Sequence, residues 1–237
     1  MNQLLLDITP DWWPTFDNFV AGGNCELLFA LHQALSGRGE RCIYVWGPAG
    51  SGKSHLLQAC VSVAQNSHQS AIYAKGYVPE PHDVVAVDDA DALNDAEQIE
   101  LFNLYNRMRD SGGMLLVSGS CSPLHLDLRP DLRTRLGWGL VYQVLGLSDE
   151  EKAQALVQHA QARGFALAPE VTHYLLRHGR RDLPSLLEVL DALDEHSLRL
   201  HRAPTIPLLK EVIYNQLDER RSLPSNGVVK GRNDELK

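Results

Sequence analysis

The chain has 237 residues, of which 44% are hydrophobic and 22% charged, and its formal net charge is −8 at pH 7. Such a chain is long enough for one sizeable α/β domain and a small companion, and its composition excludes disordered and fibrous classes. The acid excess argues against broad, sequence-independent DNA binding, and no apolar run reaches the ~18–20 residues of a membrane span. The N-terminus lacks the basic flank of a signal peptide, so a cytoplasmic location is expected. The ten histidines and four cysteines, Cys25, Cys42, Cys60 and Cys121, show no metal-ligand spacing and no C-x-x-C pair, so the thiols are expected to be reduced core residues.

In chain order, residues 1–8 lie ahead of Thr9, Pro10 and Asp11 and read as an extended tail. Within it Gln3, Leu4, Leu6 and Ile8 set a polar anchor before apolar side chains, which suits either pockets on a partner or packing on the chain's own domain. The aromatic stretch from Trp12 to Gly22 must bury its rings somewhere, and a helical pattern follows from Asn24 to Leu35. Arg41 to Trp46 reads as a buried strand, and it runs into Gly47-Pro48-Ala49-Gly50-Ser51-Gly52-Lys53-Ser54. That run fits G-x-x-x-x-G-K-[ST], the phosphate-binding P-loop. Its glycines let backbone N–H groups form a concave nest for an anion, and the helix that follows, Ser54 to Val63, points its positive end at the same phosphates. Lys53 is expected to place a point charge on the β and γ phosphates, and the Ser54 hydroxyl to hold Mg²⁺.

Ala71 to Ala74 is a short second strand, and Asp83 to Val87 a third that ends in Asp88-Asp89. An apolar strand closing on two carboxylates suits Asp88 for Mg²⁺ and Asp89 for orienting or deprotonating an attacking water, with a plain acidic turn as the alternative. The acidic continuation through Asp95 lacks the glycine and glutamate of a calcium loop. Asn94 or Asp95 caps a helix to Arg109, and Met114 to Ser118 forms a fourth strand that puts Ser118 and Ser120 beside the site. Leu128 to Leu140 carries Arg129, Arg133 and Arg135 on a short helix that stops at glycine, and Val141 to Leu145 is the fifth strand. From spacing alone Arg135 suits a surface salt bridge as well as a functional role. Ser148-Asp149-Glu150-Glu151 is a capping box opening a helix to Ala162, after which Pro169–His178, Leu183–Arg199 and Thr205–Leu217 have helical spacing. Pro184 suggests that its helix starts a residue or two late.

Several motifs resemble one family in the order that the family has them. T-F-D-N-F-V-x-G at Thr15 to Gly22 is similar to the start of the nucleotide domain in the DnaA-related AAA+ family. D-L-x-[ST]-R-L-x-W-G from Asp131 is similar to that family and still more to its shorter members, the Hda-type regulatory inactivators. The N-terminal Gln3, Leu4, Leu6 and Ile8 resemble the short peptide by which bacterial replication proteins hold the sliding clamp. The resemblance implies a three-layer αβα core with a five-stranded parallel sheet over residues 12–147, a small all-α lid over 148–218, a clamp-binding tail over 1–11 and a mobile tail over 219–237. It implies ADP or ATP with Mg²⁺ as ligands, Ser118 and Ser120 as a first sensor of the γ-phosphate, and Arg181 or Arg180 as a second. It gives Arg135 the role of an arginine finger reaching the nucleotide of a neighbouring subunit, worth roughly 10³–10⁵ in rate where it operates.

The implied function is an ATP-binding regulator of chromosome replication that joins the DNA-loaded sliding clamp and stimulates hydrolysis of DnaA-bound ATP, so preventing re-initiation. Its own ATPase would be weak at most, because Asp89 stands where many relatives have the longer glutamate. A neighbour is required by a finger acting in trans, and a homo-oligomer is one form of it; direct sequence-specific DNA binding and a membrane are not implied. The alternative is a self-sufficient DnaA-like or helicase-loader-like ATPase.

Overall fold

The structure, a computed structural model, describes residues 13–180, 182–200 and 202–222, with side chains as far as Tyr214. It divides into two compact units that meet at Lys152 and Ala153. The first unit contains α1 (Cys25–Leu35), β1 (Cys42–Trp46), α2 (Lys53–Asn66), β2 (Ala71–Lys75) and β3 (Val84–Asp88), followed by α3 (Asp95–Ser111), β4 (Met114–Gly119), α4 (Pro130–Leu136) and β5 (Leu140–Gln143). All strand pairings are parallel and the spatial order is β2-β3-β4-β1-β5.

Alternation along the strands divides the core between the two faces of the sheet, because successive side chains point opposite ways. Tyr44, Val85, Val87, Leu115 and Val117 pack with Leu101, Leu104, Tyr105 and Met108 of α3 and Leu132 and Leu136 of α4. Ile43, Val45, Val84, Ala86 and Leu116 pack with Leu27 and Leu31 of α1 and Leu56, Leu57 and Cys60 of α2. Burial of both faces explains why these strands read as continuous apolar runs. The helix ends follow local chemistry. Asn94 accepts from the N–H groups of Ala96 and Glu97 while Glu97 accepts from that of Asn94, closing a capping box on α3.

The second unit is helical, with most of α5 (Asp149–Ala162), then α6 (Pro169–His178), α7 (Leu183–Leu200) and α8 (Ile206–Ser222) around Leu156, Leu175, Leu186, Leu190, Leu193 and Leu209. Ser148 and Glu151 exchange the reciprocal hydrogen bonds of a capping box at the start of α5.

Four expectations are corrected. The helix α7 starts at Leu183 without delay, because Pro184 falls in the first turn where no N–H partner is needed, and Asp182 caps it by accepting from Ser185 N at 3.0 Å. α8 runs on to Ser222, into the stretch read as a tail from residue 219, since Glu219, Arg220 and Arg221 are good helix formers and Pro224 is the first breaker. Trp13 is not buried but 70% exposed. Cys25 is exposed on α1 and Cys121 only half-buried, whereas Cys42 and Cys60 lie in the core; all four are free thiols.

Candidate functional site

Side chains from α2, β2 and β4 converge on one carboxylate at the C-terminal end of β3. Asp88, the last residue of β3, is completely buried, with a side-chain exposure of 0%. Ser54 and Tyr73 each donate a hydroxyl hydrogen bond to its Oδ2 at 2.6 Å, and the Ser118 hydroxyl donates to Oδ1. Burial pushes the Asp88 carboxyl up, but the three hydroxyl donors and the Lys75 ammonium outweigh it and hold the group below its ordinary value. Burial and the bond to Asp88 raise the Tyr73 phenol to about 12, so it stays a donor. Ser118 also accepts from the Asp89 N–H at 3.0 Å, tying β4 to the turn after β3.

The loop from Gly47 to Gly52 connects β1 to α2 next to this carboxylate. Gly52 has φ 103° and caps α2, and a Cβ there would lie 2.7 Å from the Phe19 ring. Gly47 passes so close to Val144 that a Cβ would meet its carbonyl oxygen at 2.6 Å. The first turn of α2 has neither an acidic residue nor a side-chain cap. The Ser51 hydroxyl is buried, with no hydrogen-bond partner among the described residues. Lys53 Nζ lies over the loop, donating to the carbonyls of Gly47 at 2.8 Å and Pro48 at 3.0 Å. An uncapped helix start, an unpartnered buried hydroxyl and an ammonium in one loop form a cradle that fits a polyanion. The Ser54 hydroxyl beside the anionic Asp88 is a hard oxygen pair that fits Mg²⁺.

Residues 13–22 reach the start of α2. His55 Nε2 is 2.8 Å from the Thr15 carbonyl, which can only accept, so that nitrogen carries the proton. Phe19 packs on the His55 ring at 5.4 Å and Phe16 on His32 at 4.5 Å. Burial lowers the pKa of His55, although the bond to Thr15 opposes this.

The other sequence-derived positions fall elsewhere. Ser120 is exposed and bonds through its N–H to Asp91 Oδ2 at 2.7 Å, so Ser118 rather than Ser120 touches the buried carboxylate. Arg135 is near the end of α4, its guanidinium carbon 4.0 Å from the centre of the Trp138 ring and 5.5 Å from that of Phe102. It has no carboxylate partner among the described residues, so the salt-bridge alternative does not hold there. Arg180, in the second unit, pairs with Asp182 at 3.1 Å. Arg181 and the N-terminal Gln3, Leu4, Leu6 and Ile8 lie outside the described residues.

Sequence reading missed Tyr73 and Lys75, which reach the acidic pair from β2. Lys75 Nζ is 3.0 Å from Asp89 Oδ2 and 3.9 Å from Asp88 Oδ2. Their signal is the alternation of β2, which puts residues 73 and 75 on one face, but it has meaning only once Lys75 is in register with Asp88.

Comparison with known proteins gives consistent relatives. Residues 12–75 match the bacterial DnaA ATPase domain and residues 149–213 the Hda lid domain. A Haemophilus influenzae protein described as uncharacterized is 36% identical over 214 residues, covering 84% of this chain and 93% of that protein. Domain III of the Thermotoga maritima replication initiation protein DnaA has the same fold, with a TM-score of 0.73 at 22% identity over 85% of this chain and 95% of that one. AMPPCP-bound DnaA from Aquifex aeolicus gives 0.69 at 20% identity over 88% and 69% of the two chains. The Thermotoga maritima RuvB Holliday junction branch migration motor gives 0.65 at 16% identity over 85% and 72%.

Proposed function

Because the chain belongs to the Hda- and DnaA-related AAA+ family, we propose that it is a nucleotide-holding regulator of replication initiation that promotes hydrolysis of DnaA-bound ATP. The observation that carries this reading is the joint match of residues 12–75 to the DnaA ATPase domain and of residues 149–213 to the Hda lid.

In this reading the Gly47–Ser54 loop binds the phosphates of ADP or ATP through backbone N–H groups, Lys53 and the start of α2. Ser54 and Asp88 would hold Mg²⁺, whose charge would draw electron density off the phosphate oxygens. Ser118 fixes Asp88 and the backbone of Asp89 together. The residue that acts on a partner is Arg135. Carried to a neighbouring DnaA nucleotide, its guanidinium would neutralise charge that develops on the γ-phosphoryl group as it leaves the β-phosphate. Gln3, Leu4, Leu6 and Ile8 dock on the sliding clamp, which brings the protein to DNA without DNA contacts of its own.

The test is the rate at which DnaA-bound ATP is hydrolysed with this protein, with and without clamp loaded on DNA. A clamp-dependent rise supports the reading, and the rise should vanish when residues 1–8 are deleted. No rise would rule out DnaA as the target. The P-loop and the carboxylates at the end of β3 also favour a second reading, a self-sufficient ATPase, which appreciable turnover by the purified protein alone would support.

A further inference from the structure

Asp89, the carboxylate to which the nucleotide reading would assign the attacking water, is already engaged. Lys75 and Asp88 are opposite one another in the β2–β3 register, and the chain turns sharply after Asp88. Asp89 adopts φ 57°, left-handed backbone that non-glycine residues rarely take. The turn is held by the hydrogen bond from Asp89 N–H to Ser118, and it leaves the Asp89 carboxylate 3.0 Å from the Lys75 ammonium. The pair is half-exposed, at 57% and 44%, so it adds little to stability. Its consequence is positional.

We propose that Lys75 restrains Asp89, so that the chain retains a bound nucleoside triphosphate with little turnover. This rests on the reading of residues 47–54 as a nucleotide site. In hydrolysis the water oxygen bonds to the γ-phosphorus while the bond from γ-phosphorus to the β–γ bridging oxygen breaks, its electrons leaving on the β-phosphate. The water's proton must pass to an acceptor, and Asp89 is the acceptor available at the end of β3. A base must lie within hydrogen-bond reach of the proton that it removes, and the Asp89 carboxylate is held against the Lys75 ammonium instead. Lys75 thus makes the site a holder rather than an engine.

The experiment measures fluorescent-ATP affinity and single-site ATP turnover for the wild-type protein and for Lys75→Met, Lys75→Arg and Lys75→Met/Asp89→Asn. Lys75→Met should bind ATP within about twofold of wild type and turn it over about tenfold faster, below the full ~10²–10⁴-fold that a positioned base contributes. Lys75→Arg should stay slow because it keeps the ion pair, and the double variant should lose the gain. If Lys75→Met binds ATP but turns it over no faster, the restraint is overturned and the nucleotide site stands. If the wild-type protein binds fluorescent ADP but not ATP, the restraint is overturned and the nucleotide site stands; if it binds neither, the nucleotide reading falls and the restraint with it.

Discussion

The guanidinium carbon of Arg135 lies 4.0 Å from the ring centre of Trp138, three residues further along the chain. Trp138 is 58% exposed, so the pair is on the surface of the unit, available to a neighbouring molecule. A cation over an indole face at an exposed site is worth about 0.5–1 kcal/mol, enough to favour one arginine rotamer without burying the charge. Arg135→Ala should therefore abolish stimulated hydrolysis of DnaA-bound ATP while leaving the protein's own nucleotide affinity unchanged. Trp138→Ala should reduce stimulation about twofold to fivefold, the range that this interaction energy corresponds to, and Trp138→Phe should restore much of it. Unchanged stimulation by Arg135→Ala would remove the finger from the mechanism.

Gly52 is where the loop can least accept a side chain. Its left-handed φ of 103° and the 2.7 Å approach of a Cβ to Phe19 oppose any substitution. Gly52→Ala should cost about 1–3 kcal/mol of stability in urea unfolding and weaken nucleotide binding at the same time. Full binding by a stable variant would mean that the loop conformation is not what receives the phosphates.

Asp88 links the site to acid stability. Its folded pKa is depressed, so its contribution is present above the ordinary value of ~3.9 and is lost as the pH falls through the lower folded value. The difference in unfolding free energy between wild type and Asp88→Asn should therefore be complete at neutral pH and close below about pH 4. Chemical denaturation across that range measures it. A difference that stays constant into acid would show that the three hydroxyl donors do not favour the ionised form.

In the helical unit Arg163 joins two helices by pairing with Asp191 at 3.2 Å and Asp194 at 3.0 Å, and His159 adds a 2.6 Å contact to Asp191. The Asp194 side chain is only 11% exposed, so Arg163→Met leaves a largely buried carboxylate without its guanidinium. That should cost about 1–3 kcal/mol. Arg199→Ala removes an exposed pair with Glu195 at 4.0 Å and should cost close to nothing. Thermal unfolding of the two variants tests the contrast, and equal losses would contradict the burial argument.

By itself the sequence determined the features that depend on neighbours along the chain. The P-loop spacing, a cap at Asn94 or Asp95, the capping box at Ser148/Glu151 and the apolar strands all follow from contacts over a few residues, and the structure has a loop, caps and strands at those positions, with Asn94 as the cap of α3. The α/β core and helical companion were legible for the same reason, since strand and helix periods are local. Tertiary structure alone decided how the strands align. The β2–β3 register puts Lys75 beside Asp88 and lets Tyr73 reach it, and the β3–β4 alignment puts Ser118, thirty residues away, against both acids. Strand register is set by which side chains pack on the two buried faces of the sheet, and no spacing within β2 encodes it. The sequence therefore shows where phosphates would bind, while the state of the carboxylate that would act on them, ion-paired to Lys75, depends on how the sheet is assembled.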